Sequence, residues 1–199
     1  MAVRDGMLTL ITDLRGMAAV GTADFVAGTT TYYTSQQLQD TLDRHAYHYT
    51  RHRLEALPEN IGGTTVYYRY ALPTPSLEGT ASGTAVWRLE NSAGSAFSAA
   101  AFSIDHNLQI ITMAANQAGS ALYLTARGYG LNAAAAVVWE RKADYYAARY
   151  DVQTDNHKLS RSQLIKHAEG RAKYYRNQAL SERVTLVGGM ARIQRVDTN

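Results

Sequence analysis

The first apolar positions recur at helical spacing. Met7, Leu8, Leu10, Ile11, Leu14 and Met17 form one stripe and predict an amphipathic helix. Gly21 to Thr31 is a Thr-rich run of small residues and reads as a loop. A second helix is predicted to open at Thr34. Gln37 follows three residues later, the capping-box spacing that satisfies two otherwise unpaired backbone donors. Leu38, Leu42, His45 or Ala46, Tyr49 and Arg53 continue at steps of three or four, and Pro58 is expected to end this helix.

The pattern changes between about Ile61 and Gly130. This stretch holds six charged residues: Arg69, Glu78, Arg88, Glu90, Asp105 and Arg127. β-Prone runs at Thr64–Tyr70, Ala85–Leu89, Ala100–Ile104, Leu108–Met113 and Ala121–Arg127 alternate with turn-forming residues such as Pro73, Gly79, Gly94 and Gly119. Short strands at regular intervals predict a small antiparallel sheet, sandwich or barrel.

Helical spacing then returns. Asn132 is the expected cap of a helix running to Tyr150, with Ala134, Val137, Val138, Arg141, Tyr145 and Ala148 on one face. Asp151–Lys158 reads as a polar connection. Ser160 with Gln163 repeats the capping-box spacing ahead of a basic helix that runs to about Leu180. Its stripe is Leu164, Ile165, Ala168, Ala172, Tyr175 and Ala179. From Ser181 the chain is β-prone on both sides of Gly188-Gly189, which predicts an extended arm. In that arm Val184, Leu186, Gly188, Gly189, Arg192, Ile193, Arg195 and Val196 are the candidate docking residues.

The predicted fold class is therefore α+β. Residues 1–60 and 131–180 form a bundle of about four helices, 61–130 a β-rich insertion, and 181–199 an extended C-terminal arm. A length of 199 residues suits one domain carrying an insertion. Cysteine is absent, so no disulfide framework or thiolate chemistry is available, and a reducing compartment is suitable. No apolar run approaches the ~20 residues of a membrane span, and the first residues open into an amphipathic pattern rather than a signal peptide. Tyrosine dominates the aromatics, 14 against 3 Phe and 2 Trp, which favours half-buried surfaces and interfaces over a dry core. The net charge of +3 conceals an asymmetry. From Arg141 onward there are 12 Lys/Arg against 6 Asp/Glu, whereas the first 140 residues hold 8 against 11. A basic end on an acidic body is an electrostatic handle for a nucleic acid or for an acidic protein face.

Candidate chemistry is sparse. His48 and His52, with His45, have the one-turn spacing that lets two imidazoles share a metal, but no intervening Glu completes a zinc motif; they read as solvated or interface histidines. Asp151 and Asp155 lack the oxygen density, the Gly and the terminal Glu of a calcium loop. No nucleophile elbow, phosphate-cradling loop or dinucleotide fingerprint is present. The expectation is a non-enzymatic protein with no cofactor. The strongest polar feature is the last helix, where Arg161, Lys166, Arg171, Lys173 and Arg176 are dispersed around Tyr174 and Tyr175 and interrupted by Glu169. These are the candidate residues for a subunit interface or a DNA channel.

Three segments, Tyr32–His45, Leu131–Ala143 and Tyr150–Gln163, together resemble the head-to-tail connector (adaptor) proteins of tailed bacteriophages. In those proteins an aromatic-Thr-Asp/Ser segment opens a helix, an Ala-rich helix ends near Trp-Glu, and a Ser-Arg-Ser-Gln turn leads into the last helix. Here the matching residues are Tyr33-Thr34-Ser35, Ala133–Ala136 with Trp139-Glu140, and Ser160–Gln163. The resemblance covers the helical half of the chain; the β-rich middle departs from the smallest adaptors. It implies a homo-oligomeric, twelve-fold ring in the virion neck, assembled in the host cytoplasm below the portal protein. Packaged double-stranded DNA would pass through the lumen without sequence-specific binding. Tail or tail-completion proteins would dock on the ring, the C-terminal arm would reach the portal, and no membrane would be involved. A closed ring needs two different complementary patches on each subunit, which the acidic body and basic end would supply. The alternatives are a tail-side completion or neck protein, and a nucleic-acid-binding module using the basic helix, whose affinity would fall steeply with salt.

Overall fold

The computed structural model describes residues 3–21, 25–27, 29–79, 87–147, 153–154, 157–158 and 161–194. The fold is mixed α+β. In chain order, a single 3-10 turn at Asp5–Met7 leads into α1 (Leu8–Ala18), then β1 (Phe25–Ala27), β2 (Thr30–Tyr32) and α2 (Ser35–Asp43). Seven strands follow: β3 (Ala46–Arg53), β4 (Glu55–Ile61), β5 (Thr64–Ala71), β6 (Arg88–Glu90), β7 (Phe102–Asp105), β8 (Ile110–Met113) and β9 (Tyr123–Tyr129). The chain continues through α3 (Leu131–Ala147), the short pair β10 (Gln153–Thr154) and β11 (His157–Lys158), and α4 (Arg161–Gln194). These elements divide into two compact units. One comprises Ile11–His45 and Gly130–Asn199, the other Ala2–Leu10 and Ala46–Tyr129.

In the helical unit, α3 buries Ala134, Ala135, Ala136, Val138, Trp139, Lys142 and Ala143, and α4 buries Ala168, Ala172 and Tyr175. Alanine stripes let the two backbones approach closely, and α3 and α4 form the most extensive packing between elements of the chain. The helix α2 also packs on α3. Its start follows the expected capping box in both directions: Thr34 Oγ1 accepts from Gln37 N at 3.3 Å, and Gln37 Oε1 accepts from Thr34 N at 3.0 Å. The Thr-rich run predicted as a loop at Gly21–Thr31 holds β1 and all of β2 but Tyr32, and the two strands pair antiparallel.

The second unit has two antiparallel sheets, ordered β3-β9-β6 and β4-β5-β8-β7. Period-two alternation aims side chains from both sheets into one core, with Tyr70, Ile111 and Met113 from one and Leu89, Leu124 and Ala126 from the other. The predicted strands after residue 61 overlap β5 to β9, closely at β5 and by only Arg88 and Leu89 at β6; Ala85 and Val86 of that prediction fall outside the described residues.

Two expectations fail. The second helix stops at Asp43, and the residues up to Pro58 form β3 and part of β4. Tyr47, Tyr49 and Thr50 are strand-formers, and their alternation outweighs the coincidental steps of three and four that suggested a helix. Pro58 sits where the β4–β5 register shifts, between Leu57 and Glu59, on an edge strand that loses no ladder bond to a missing N–H. The β-rich segment consequently starts at Ala46 and not at residue 61. The expected extended arm is also absent as far as Gln194, because α4 is continuous to that residue. Extending an existing helix adds one hydrogen bond per residue fixed, which outweighs a cost of about 1 kcal/mol for each of Gly188 and Gly189. Val184, Leu186, Gly188, Gly189, Arg192 and Ile193 thus lie on helical backbone. Arg195, Val196 and Ser160 fall outside the described residues.

Candidate functional site on the helical unit

The predicted interface residues all lie on α4, and the structure sorts them by direction. Arg161 opens the helix. Lys166 and Lys173 are seven residues apart, hence on one face, and both are exposed. Arg171 and Arg176 instead flank the buried stripe and are engaged within the subunit. The Arg171 guanidinium donates to Tyr175 Oη at 2.8 Å and lies over the rings of Tyr175, Tyr174 and Trp139 at 4.9, 5.5 and 5.8 Å. Arg176 pairs with Glu140 of α3.

Arg171 belongs to a cluster built around the C-terminal end of α1. That helix closes with Ala19 in the left-handed region, φ 49°, while Val20 N donates to Arg15 O and Ala19 N to Gly16 O at 3.1 and 3.4 Å. The pattern is a Schellman cap with alanine in the usual glycine position. Carbonyls at this end, at the negative pole of the helix, receive donors from α3 and α4. Trp139 Nε1 and Tyr175 Oη both donate to Met17 O, at 3.2 and 2.9 Å, and Lys142 Nζ donates to Ala19 O at 3.0 Å. Lys142 is only 4% exposed and lies 4.6 Å over the Trp139 ring. A buried ammonium is tolerated here because a carbonyl and aromatic faces replace its water. Trp139 and Lys142 both fall in the adaptor-like segment, but the burial of Lys142 is not legible there, because its carbonyl partner is 123 residues away.

Beside this cluster, α3 and α4 enclose a shallow groove of about 200 Å³. Ala133, Ala136, Val137 and Ala179 give it an apolar floor, the Glu140–Arg176 pair lies along it, and Leu180, 57% exposed, stands at its mouth. His45 also lines it. The groove accommodates one aliphatic side chain and offers a polar edge for register. It contains no pairing of a nucleophile with a base.

The histidines are not arranged as expected. His48 and His52 lie on β3, so the one-turn spacing behind the metal reading disappears. Burial lowers the His52 pKa and its ring meets Tyr49 edge-on at 5.3 Å, whereas His48 is exposed. Among the described residues no group of three metal-ligating side chains comes together. No described helix is long and apolar enough to cross a membrane. Comparison with protein-family models, curated proteins and solved structures gave no match.

Proposed function

We propose that this chain is a structural subunit of a tailed-bacteriophage virion, forming the head-to-tail adaptor ring below the portal. The observation that carries the reading is the convergence of the adaptor-like segments. Tyr32–His45 supplies α2, Leu131–Ala143 supplies most of α3, and the segment ending at Gln163 leads into α4. These three helices belong to one unit, with α3 packed on both α2 and α4.

On this reading the helical unit is the ring body and the segment between α2 and α3 is an insertion. The two ends of that insertion are adjacent, because β3 and β9 pair with Ala46 opposite Tyr129. The groove between α3 and α4 receives an apolar side chain of the neighbouring copy, and Lys166 with Lys173 meets its acidic surface. Such a head-to-tail contact closes into a ring when the rotation allows it. The ring extends the DNA conduit, and the end of α4 docks on the portal in place of an extended arm.

Charge reversal tests the interface half of this reading. Lys166→Glu with Lys173→Glu alters two exposed side chains and leaves the core of α3 and α4 intact. It is expected to weaken assembly about tenfold or more, read as the protein concentration at which oligomers appear by mass photometry. Unchanged assembly would remove α4 from the contact.

A further inference from the structure

The second unit carries a charge pattern that the helical reading of residues 46–53 concealed. Between residues 46 and 129 the chain has five arginines and no lysine. Four of them, Arg51, Arg53, Arg88 and Arg127, belong to the sheet β3-β9-β6. The exposed carboxylates of the same stretch lie elsewhere: Glu55 on β4 and Asp105 on β7, with the half-exposed Glu59 also on β4.

The register places the four arginines on one face. Arg127 is opposite His48, Arg88 opposite Thr125, and Tyr123 lies between Arg53 and Glu90. Leu124 and Ala126, which alternate with these positions on β9, point into the core. A β-bulge makes this possible. Thr50 and Arg51 together oppose Thr125, and the extra residue inverts the alternation of β3. Arg53 therefore faces outward with His48, while His52 turns toward the core. Arg51 holds the bulge at φ 47°, a strained conformation for a side-chain-bearing residue, and its backbone N–H donates to Thr125 Oγ1 at 3.1 Å. Its guanidinium lies 5.1 Å over the Tyr123 ring.

The carboxylates on this face are outnumbered and withdrawn. Glu90 is buried and shared by Arg88 at 2.7 Å and Arg51 at 3.5 Å. Glu78, also buried, takes Arg127 at 3.5 Å, leaving Arg127 Nε with no hydrogen-bond partner. Arg51 and Arg88 remain about half exposed beyond their shared anion. Arg53 has no carboxylate partner among the described residues. The result is a positive face of guanidinium groups around an aromatic ring, with Arg51, Arg53 and Arg88 its exposed members.

We propose that this face binds the phosphate backbone of nucleic acid, without base specificity. Guanidinium forks match phosphate oxygens in pairs, and cations contributed by three adjacent strands follow an extended polyanion. Thr125 and His48 supply further polar contacts. The inference is independent of the ring reading, since a single subunit presents the whole face. It also differs from the basic-helix alternative, which used α4.

The test uses the full chain and a short fluorescent DNA duplex of random sequence, with polarisation followed from about 50 to 200 mM salt. Arg53→Glu and Arg69→Glu make the same charge change in the same unit, on different sheets. Arg53→Glu is expected to weaken binding about tenfold and to make the salt slope shallower by about one. Arg53→Ala should lie between it and the unaltered chain, and Arg69→Glu should leave binding within about twofold. Equal losses for Arg53→Glu and Arg69→Glu would reduce the effect to net charge and overturn the proposal. So would absence of binding at the lowest salt, or tighter binding of polyglutamate than of duplex, which would make the partner an acidic protein.

Discussion

The two units solve the problem of a buried charge in opposite ways. The β-rich unit buries anions: Glu78 and Glu90 are nearly inaccessible, and each is held by arginines that remain partly in water. Around Glu78, Arg4 donates from 3.0 Å and Tyr129 Oη from 2.6 Å. The helical unit buries a cation, Lys142, and surrounds it with a helix-end carbonyl and aromatic rings. A buried carboxylate with several cationic donors leaves net positive charge at the surface above it. The sheet face is accordingly basic, whereas the α3–α4 groove is apolar with a self-compensated Glu140–Arg176 pair.

The two units differ most at Glu78. Glu78→Gln keeps the shape but leaves Arg4 and Arg127 facing a neutral amide, and breaking a buried pair of this kind costs about 3 kcal/mol. A chemical melt should show a loss of that size, with hydrogen exchange rising chiefly in β3, β6 and β9. A loss below about 1 kcal/mol would mean that the carboxylate contributes little. Lys142→Met is the counterpart in the helical unit. Its volume is nearly conserved while the bond to the Ala19 carbonyl and the contact with the Trp139 ring are lost, so the expected cost is about 1–2 kcal/mol, read in the same melt. A larger loss than at Glu78 would invert the comparison.

Alkaline pH sharpens it further. Burial raises the pKa of Tyr49, Tyr70 and Tyr129; neighbouring Tyr47 adds to the shift of Tyr49, Tyr67 to that of Tyr70, and the bond to Glu78 to that of Tyr129. All three belong to the β-rich unit. The folded state favours their neutral forms. Their contribution is therefore complete below the ordinary value of 10.0 and declines as pH rises above it. Urea melts across that value should lose midpoint progressively, and exchange should accelerate first in the β-rich unit. Acceleration confined to α3 and α4 would contradict the assignment.

What the sequence reveals follows the range of the interactions. The Thr34–Gln37 cap, the alanine stripe of α3 and the alternation in β5, β8 and β9 depend on neighbours a few residues away, and all are legible. The strand β3 is not. Its bulge puts Tyr49 and Arg53 on opposite faces, so no single period of two runs through the strand, and the partner that fixes it, β9, is about 70 residues or more further on. The basic face is hidden with it, because a helix over these residues separates Arg51 and Arg53 from Arg88 and Arg127. The continuation of α4 was hidden for a different reason: Gly188-Gly189 carries a strong local break signal that helix propagation overrides.

The ring on a portal vertex is what we propose this chain builds. Mass photometry of the protein, alone and mixed with purified portal rings from the same genome, tests it most directly. The account predicts a discrete added mass equal to a fixed multiple of the 21.9 kDa subunit, set by the portal symmetry. A chain that remains at subunit mass beside assembled portal rings would contradict it.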